Sequence, residues 1–123
     1  MTPTMSQRLK TVLTYLPHLK SLSIHRHFSL TDEILEALIL PENEDDKSLT
    51  GACPELEHFH WRDCSACTQS VMVAMLLSRW KRKPRKLKDI SLRLCPFYKK
   101  TLIAELRLSG SVPKNVKFYC SRK

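Results

Sequence analysis

Glycine is scarce in this sequence. The chain of 123 residues contains two glycines and seven prolines, and 42% of its residues are hydrophobic. This composition excludes collagen-like, Gly/Ser-linker and strongly disordered chains. Two glycines are also too few for a glycine-rich phosphate-binding loop, and no uncharged apolar run approaches the roughly 20 residues of a membrane-spanning helix. The sequence therefore predicts one folded segment over residues 1–123, without a membrane partner.

Acidic residues are outnumbered by basic ones. The chain has 21 Lys and Arg against 12 Asp and Glu, for a net charge of +9. Much of the excess lies in a basic linker over residues 79–88, which contains no acid and carries Arg79, Lys81, Arg82, Lys83, Arg85, Lys86 and Lys88. Such a run is typical of segments that an import receptor or nucleic-acid phosphates bind by charge. It is equally typical of a solvated helix end and loop.

The cysteines are odd in number, namely Cys53, Cys64, Cys67, Cys95 and Cys120. The first ten residues lack the layout of a signal peptide, so we expect a reducing intracellular compartment, cytoplasmic or nuclear. A zinc site is considered because Cys64 and Cys67 have ligand spacing and lie close to Cys53, His58 and His60. No second Cys or His pair completes this set. We therefore expect buried structural cysteines, and no metal or other cofactor.

Three segments share the pattern L-x-x-L-x-L. They begin at Leu19, Leu56 and Leu87, and the second and third end in Cys at the ninth position, Cys64 and Cys95. The L-x-L step has the two-residue period of a half-buried strand. A fourth, degenerate strand is predicted over residues 116–120. The repetition indicates one structural unit used several times.

Helical patterns alternate with these strands. Apolar residues recur at helical spacing over residues 30–40, 67–83 and 97–109, and a further helix is predicted over 6–15. Residues 41–51, which begin with Pro41 and include four acidic residues, read as an acidic surface loop. The sequence predicts an α/β fold of about three repeats, with partial units at both ends.

The repeats resemble the leucine-rich-repeat part of F-box and leucine-rich-repeat proteins. The resemblance rests on the three L-x-x-L-x-L segments, their Cys-ending ninth position and the run Cys53-Pro54-Glu55-Leu56-Glu57-His58-Phe59-His60-Trp61. It implies a short solenoid arc, with parallel strands on the concave face and helices on the convex face. No F-box segment is recognised, so we expect recruitment of the ligase adaptor to lie outside this chain. The implied role is substrate recognition for a ubiquitin ligase by a fragment or shortened relative.

The residues that alternate with the apolar strand positions are expected to face outward in three columns. The columns are Ser21, His58 and Asp89; Ser23, His60 and Ser91; and His25, Arg62 and Arg93. Such a polar, mildly basic surface is the kind on which leucine-rich repeats bind proteins. We therefore expect a protein partner on this surface.

Catalysis is not predicted. Cys64 and His60 are four residues apart in a strand, which separates them by about 13 Å and prevents a nucleophile–base contact. The leading hypothesis is a protein-binding module without enzymatic activity. Two alternatives stay open: a basic binder of nucleic acid or an import receptor, acting through residues 79–88, and a truncated structural remnant.

Overall fold

Helices and strands alternate along the described part of the chain. The structure, a computed structural model, describes residues 5–24, 29–40, 52–81, 86–110 and 112–122. The elements in chain order are α1 (Met5–Thr14), β1 (Ser21–Ile24), α2 (Asp32–Leu38), β2 (His58–Trp61), α3 (Gln69–Lys81), β3 (Asp89–Cys95), α4 (Lys99–Ser109) and β4 (Lys117–Arg122). The predicted α/β class is confirmed. The predicted acidic loop at 41–51 and part of the basic linker, 82–85, lie outside the described residues.

The strands form one four-stranded parallel sheet in the order β1-β2-β3-β4. Each strand pairs with the next one in the chain, because a helix lies between consecutive strands and the chain re-enters in the same direction. The L-x-x-L-x-L segments occupy equivalent places: Leu22 pairs with Phe59 and Phe59 with Ile90. The spacing of the pattern therefore fixes the strand register. The strand predicted over residues 116–120 is found as β4, which begins one residue later and ends two residues later.

One face of the sheet is buried against the helices. The buried strand residues include Leu22, Phe59, Trp61, Ile90 and Leu92, and they join one cluster with helix residues such as Leu35, Met72, Met75, Leu76, Leu102 and Leu106. Burying each large apolar side chain stabilises the fold by about 2 kcal/mol. The alternate residues of the strands are half-buried or exposed. The described residues thus form a helix layer, a sheet, and a second sheet face whose side chains are half-buried or exposed.

Local signals set the helix ends. Thr31 caps α2 by accepting a hydrogen bond from the Ile34 amide at 3.4 Å. Helix α3 begins at Gln69, two residues after the predicted start at 67, whereas residues 82–83 of the predicted helix lie outside the described residues. Near Lys81, the Trp80 indole Nε1 donates to the Leu87 carbonyl at 3.0 Å. Helix α4 ends at Ser109 and is capped by Gly110, where an added Cβ would lie 3.0 Å from Leu77 Cδ2. No helix within the described residues is long and apolar enough to cross a membrane.

The strands end differently at their carboxyl ends. The Cys64 thiol donates to the Trp61 carbonyl at 3.7 Å, where the chain leaves β2. The ninth-position cysteine therefore bonds backbone at the bend. Strand β3 continues further, with a register shift between Leu92 and Cys95 and a left-handed backbone at Leu94, φ 58°. The regular alternation of inward and outward side chains on β3 therefore ends near Leu94, at the carboxyl-terminal edge of the sheet.

Candidate functional site: a polar strand face

Two of the predicted columns lie in register across the sheet. Ser21 pairs with His58 and His58 with Asp89; Ser23 pairs with His60 and His60 with Ser91. Residues paired in a parallel sheet point to the same side, so each column forms a continuous row. The predicted arrangement of these six residues is confirmed; whether they bind a partner stays a prediction.

Strand β4 extends both rows. Lys117 pairs with Asp89, and Tyr119 pairs with Ser91. Both side chains are exposed, Tyr119 by 50%. The strand is predicted from the sequence, but these two outward residues are not among the predicted columns. The alternation of Lys117 and Tyr119 with Phe118 and Cys120 is the signal that could have found them.

The third predicted column is described only in part. His25 lies outside the described residues. Arg62 and Arg93 are exposed and line one cavity of about 310 Å³ together with His60, Trp61 and Ser91. The Arg93 guanidinium lies over the Tyr119 ring, 5.6 Å from its centroid. We call the outward surface the polar face; it consists of Ser21, Ser23, His58, His60, Arg62, Asp89, Ser91, Arg93, Lys117 and Tyr119.

A single carboxylate oxygen on the polar face contacts two imidazoles. Asp89 Oδ2 lies 3.1 Å from His58 Nδ1 in a hydrogen bond. The same oxygen lies 3.0 Å from His60 Nε2, which is close enough for an ion pair with a protonated imidazole but is not a hydrogen bond. Burial by itself would raise the pKa of Asp89, but the contacts with His58 and His60 outweigh it and lower the pKa below its ordinary value. Asp89 is therefore an anion whose charge is already engaged within the sheet.

Ion pairs line the amino-terminal edge of the sheet. Glu55 contacts His18 at 3.1 Å and Lys86 at 3.5 Å, and these two partners lower the pKa of Glu55. Glu57 contacts Lys88 at 2.9 Å, which lowers the pKa of Glu57. These contacts engage two members of the predicted basic patch, so Lys86 and Lys88 are less available to a polyanion than their sequence suggests.

Arg79 does not belong to the basic surface patch that the sequence predicts. Its side chain is 3% exposed, although it belongs to the charged run at 79–88. The guanidinium donates to the Leu38 carbonyl at 3.1 and 2.7 Å, to the Ala52 carbonyl at 2.6 Å and to the Cys53 carbonyl. Arg79 therefore binds backbone inside the fold and is not part of a surface patch. Of the remaining members, Lys81 is exposed, and Arg82, Lys83 and Arg85 lie outside the described residues.

The cysteines are mostly buried thiols, as predicted. Cys53, Cys64, Cys67 and Cys95 are buried, and Cys120 is half-buried. Contacts with the Cys67 and Cys95 thiols, together with burial, raise the pKa of Cys64. Burial raises the pKa of Cys53, against the opposing charge of Arg79. A raised pKa keeps these two thiols protonated near neutral pH, which makes them poor nucleophiles.

No arrangement for a metal ion is found among the described residues. There, no group of three or more His, Cys, Asp or Glu side chains has the geometry to hold a cation. The candidate zinc set of the sequence analysis is therefore not assembled as a site. Cys67 instead donates its thiol to the Cys64 carbonyl at 3.0 Å.

Comparisons with known proteins add no family assignment. No protein-family model matches the chain, and neither curated proteins nor solved structures match it significantly. A functional conclusion therefore depends on the repeat motif and on the geometry of the polar face.

Proposed function

We propose that this chain is a short leucine-rich-repeat arc that binds a protein on its polar face and has no enzymatic activity. In this proposal the sheet is the concave side of a solenoid and the helices form the convex side. The observation that carries it is the register: equivalent positions of the L-x-x-L-x-L segments lie side by side on successive parallel strands. Repeats whose equivalent positions align in this way present their outward residues as one surface.

The chemistry of the polar face supports protein binding. Short hydroxyl side chains, imidazoles and cations alternate there, and they are half-buried or exposed. Polar side chains with few rotatable bonds can form hydrogen bonds with a partner at a modest entropic cost. By resemblance, the partner is a substrate for ubiquitin transfer, and an F-box would have to come from a segment or subunit outside this sequence.

The alternative reading, a basic binder acting through residues 79–88, has less support. Arg79 is buried, and Lys86 and Lys88 contact Glu55 and Glu57. What remains for a polyanion is the exposed Lys81 and residues outside the described ranges. The third reading, a structural remnant, predicts no partner at all.

Affinity capture with matched charge reversals tests the proposal. The tagged chain is compared with R62E/R93E on the polar face, with K81E/K83E in the basic linker, and with K100E/K114E as a control away from both. We expect a protein partner that is retained by the control and by K81E/K83E but lost with R62E/R93E. Partners lost only with K81E/K83E, whose binding falls steeply with salt, would favour the basic binder. A partner whose binding is unchanged in all three double variants would contradict the proposal.

A further inference from the structure

The cavity between Arg62 and Arg93 has an unbalanced charge. Among the described residues, its lining contains two arginines together with His60, Trp61 and Ser91. Within the described residues, neither arginine forms an ion pair with a carboxylate. The volume of about 310 Å³ is at the lower end for small-molecule sites, which suits a side chain better than a large cofactor.

The neighbouring groups do not neutralise this charge. Asp89 is the carboxylate on the described part of the polar face, and its Oδ2 is contacted by His58 and His60 instead. The Tyr119 ring beneath Arg93 orients the guanidinium without cancelling its charge. Lys117 is a further exposed cation, but it lies beside Asp89 at the opposite, amino-terminal end of the polar face. Among the described residues, the carboxyl-terminal end of the polar face therefore carries the two arginines and no carboxylate of its own.

We propose that the Arg62–Arg93 cavity binds a carboxylate side chain from an acidic, extended segment of a partner protein. The inference rests on the proposed function and specifies the partner's chemistry. Guanidinium groups form directed, charge-assisted bonds with carboxylates. The side chains of Ser21, Ser23 and Ser91 are short, so they leave room for an extended backbone to lie across the strands. A carboxylate in the cavity would thus anchor a segment that follows the polar face.

A displayed library of random twelve-residue peptides supplies a defined probe. The folded full chain selects peptides, and the affinity of the recovered peptides is then measured for the original protein and for R62Q, R93Q and the control K114Q. We expect recovered peptides rich in Asp and Glu. Each arginine variant should weaken binding about tenfold or more, because it removes a charge-assisted contact. K114Q should leave the affinity unchanged, and unchanged melting temperatures establish that the exposed-residue variants remain folded.

A further variant separates the two proposals. Ser91→Tyr fills the centre of the polar face without changing charge. Recovered peptides without acidic residues that lose binding with S91Y would overturn the carboxylate proposal and retain the polar face as the binding surface. Failure to recover any peptide sensitive to S91Y, R62Q or R93Q would overturn both.

The last experiment distinguishes a carboxylate from a phosphate as the negative group on the peptide. Each recovered peptide is synthesised with its acidic residue as Glu, as Gln and as phosphoserine. Binding of the Glu form, weakened in the Gln form, supports a carboxylate. Binding confined to the phosphoserine form would overturn it in favour of a phosphorylated partner.

Discussion

The Arg79 guanidinium donates two hydrogen bonds to the Leu38 carbonyl, from Nε at 3.1 Å and from Nη2 at 2.7 Å. It also contacts the carbonyls of Ala52 and Cys53. Leu38 ends α2, and Ala52 and Cys53 lie on the way to β2, so one side chain of α3 joins the two chain segments that flank residues 41–51. Ser78 assists by accepting a hydrogen bond from the Leu40 amide at 3.0 Å.

Replacing Arg79 by Met should destabilise the fold. The substitution preserves an unbranched side chain but leaves buried carbonyl oxygens without their donors, at an expected cost of about 2 to 4 kcal/mol. Arg79→Lys should also destabilise it, because an ammonium group cannot reproduce the planar fork. The free energy of unfolding is measured by urea titration. Arg107→Met, at an exposed position in the last turn of α4, is the matched control and should change stability by less than about 0.5 kcal/mol. Equal effects of R79M and R107M would show that the Arg79 contacts do not stabilise the chain.

The two faces of the sheet should respond differently to truncation. Trp61 is 1% and Leu92 0% exposed, so Trp61→Ala or Leu92→Ala should each cost about 2 to 5 kcal/mol. Ser91→Ala, which alters the residue before Leu92 on the opposite, polar face of the sheet, should cost almost nothing. Urea unfolding of the three variants compares the two faces directly. Similar losses for all three would contradict the strand register.

Oxidation should join Cys95 to Cys120. Their sulfur atoms are 3.7 Å apart on adjacent strands, and Cys120 is half-buried, so an oxidant can reach the pair. A mild thiol oxidant such as diamide would accept the two thiol hydrogens as the sulfur–sulfur bond forms. We expect peptide mapping to find one link between Cys95 and Cys120, lost in C120S and retained in C53S. A Cys64–Cys67 link as the main product would contradict this prediction.

Acid should weaken the fold through Asp89. The pKa of Asp89 is lowered in the folded chain from an ordinary value of 3.8, so its contacts with His58 and His60 stabilise the fold above that pH. This contribution is lost as the pH falls below 3.8 and through the lower folded pKa. Lys117, opposite Asp89 on β4, adds a further positive neighbour.

The measurement is the free energy of unfolding between mildly acidic and strongly acidic pH. The stability advantage of the original chain over D89N should shrink as the pH falls. The control is Glu36→Gln, which alters an exposed residue on α2. The difference in free energy of unfolding between the original chain and this variant is measured over the same pH range. A constant difference between the original chain and D89N across this range would contradict the role of the contacts.

Much of the fold was predictable because its pattern is local. The L-x-x-L-x-L segments define strand faces by a two-residue period, and the intervening apolar residues recur at helical spacing. Equivalent repeat positions then become neighbours, which is why the sequence alone aligns Ser23, His60 and Ser91. The start of each helix was less predictable: the apolar pattern begins at Cys67, whereas α3 begins at Gln69, because the Cys67 thiol bonds the Cys64 carbonyl in the preceding turn.

Two features were not predicted correctly: the burial of the charged residue Arg79, and a contact between neighbouring rows of the polar face. Arg79 was placed in a surface patch because it begins a basic run, yet it follows Met72, Met75 and Leu76 at helical spacing on the buried side of α3. That spacing is the signal that predicts its burial. The diagonal contact of His60 with Asp89 was also missed, because the columns identify directly opposed residues and not the reach of an imidazole to the adjacent row.

Chemical-shift mapping tests the central claim most directly. The backbone amides of the isotope-labelled chain are recorded with and without the tightest peptide from the display selection. The account predicts changes concentrated in residues 58–62, 89–93 and 117–119, with little change in α3 and α4. Changes concentrated at Lys81, Lys86 and Lys88, or on the exposed sides of α3 and α4, would contradict the polar face as the binding surface.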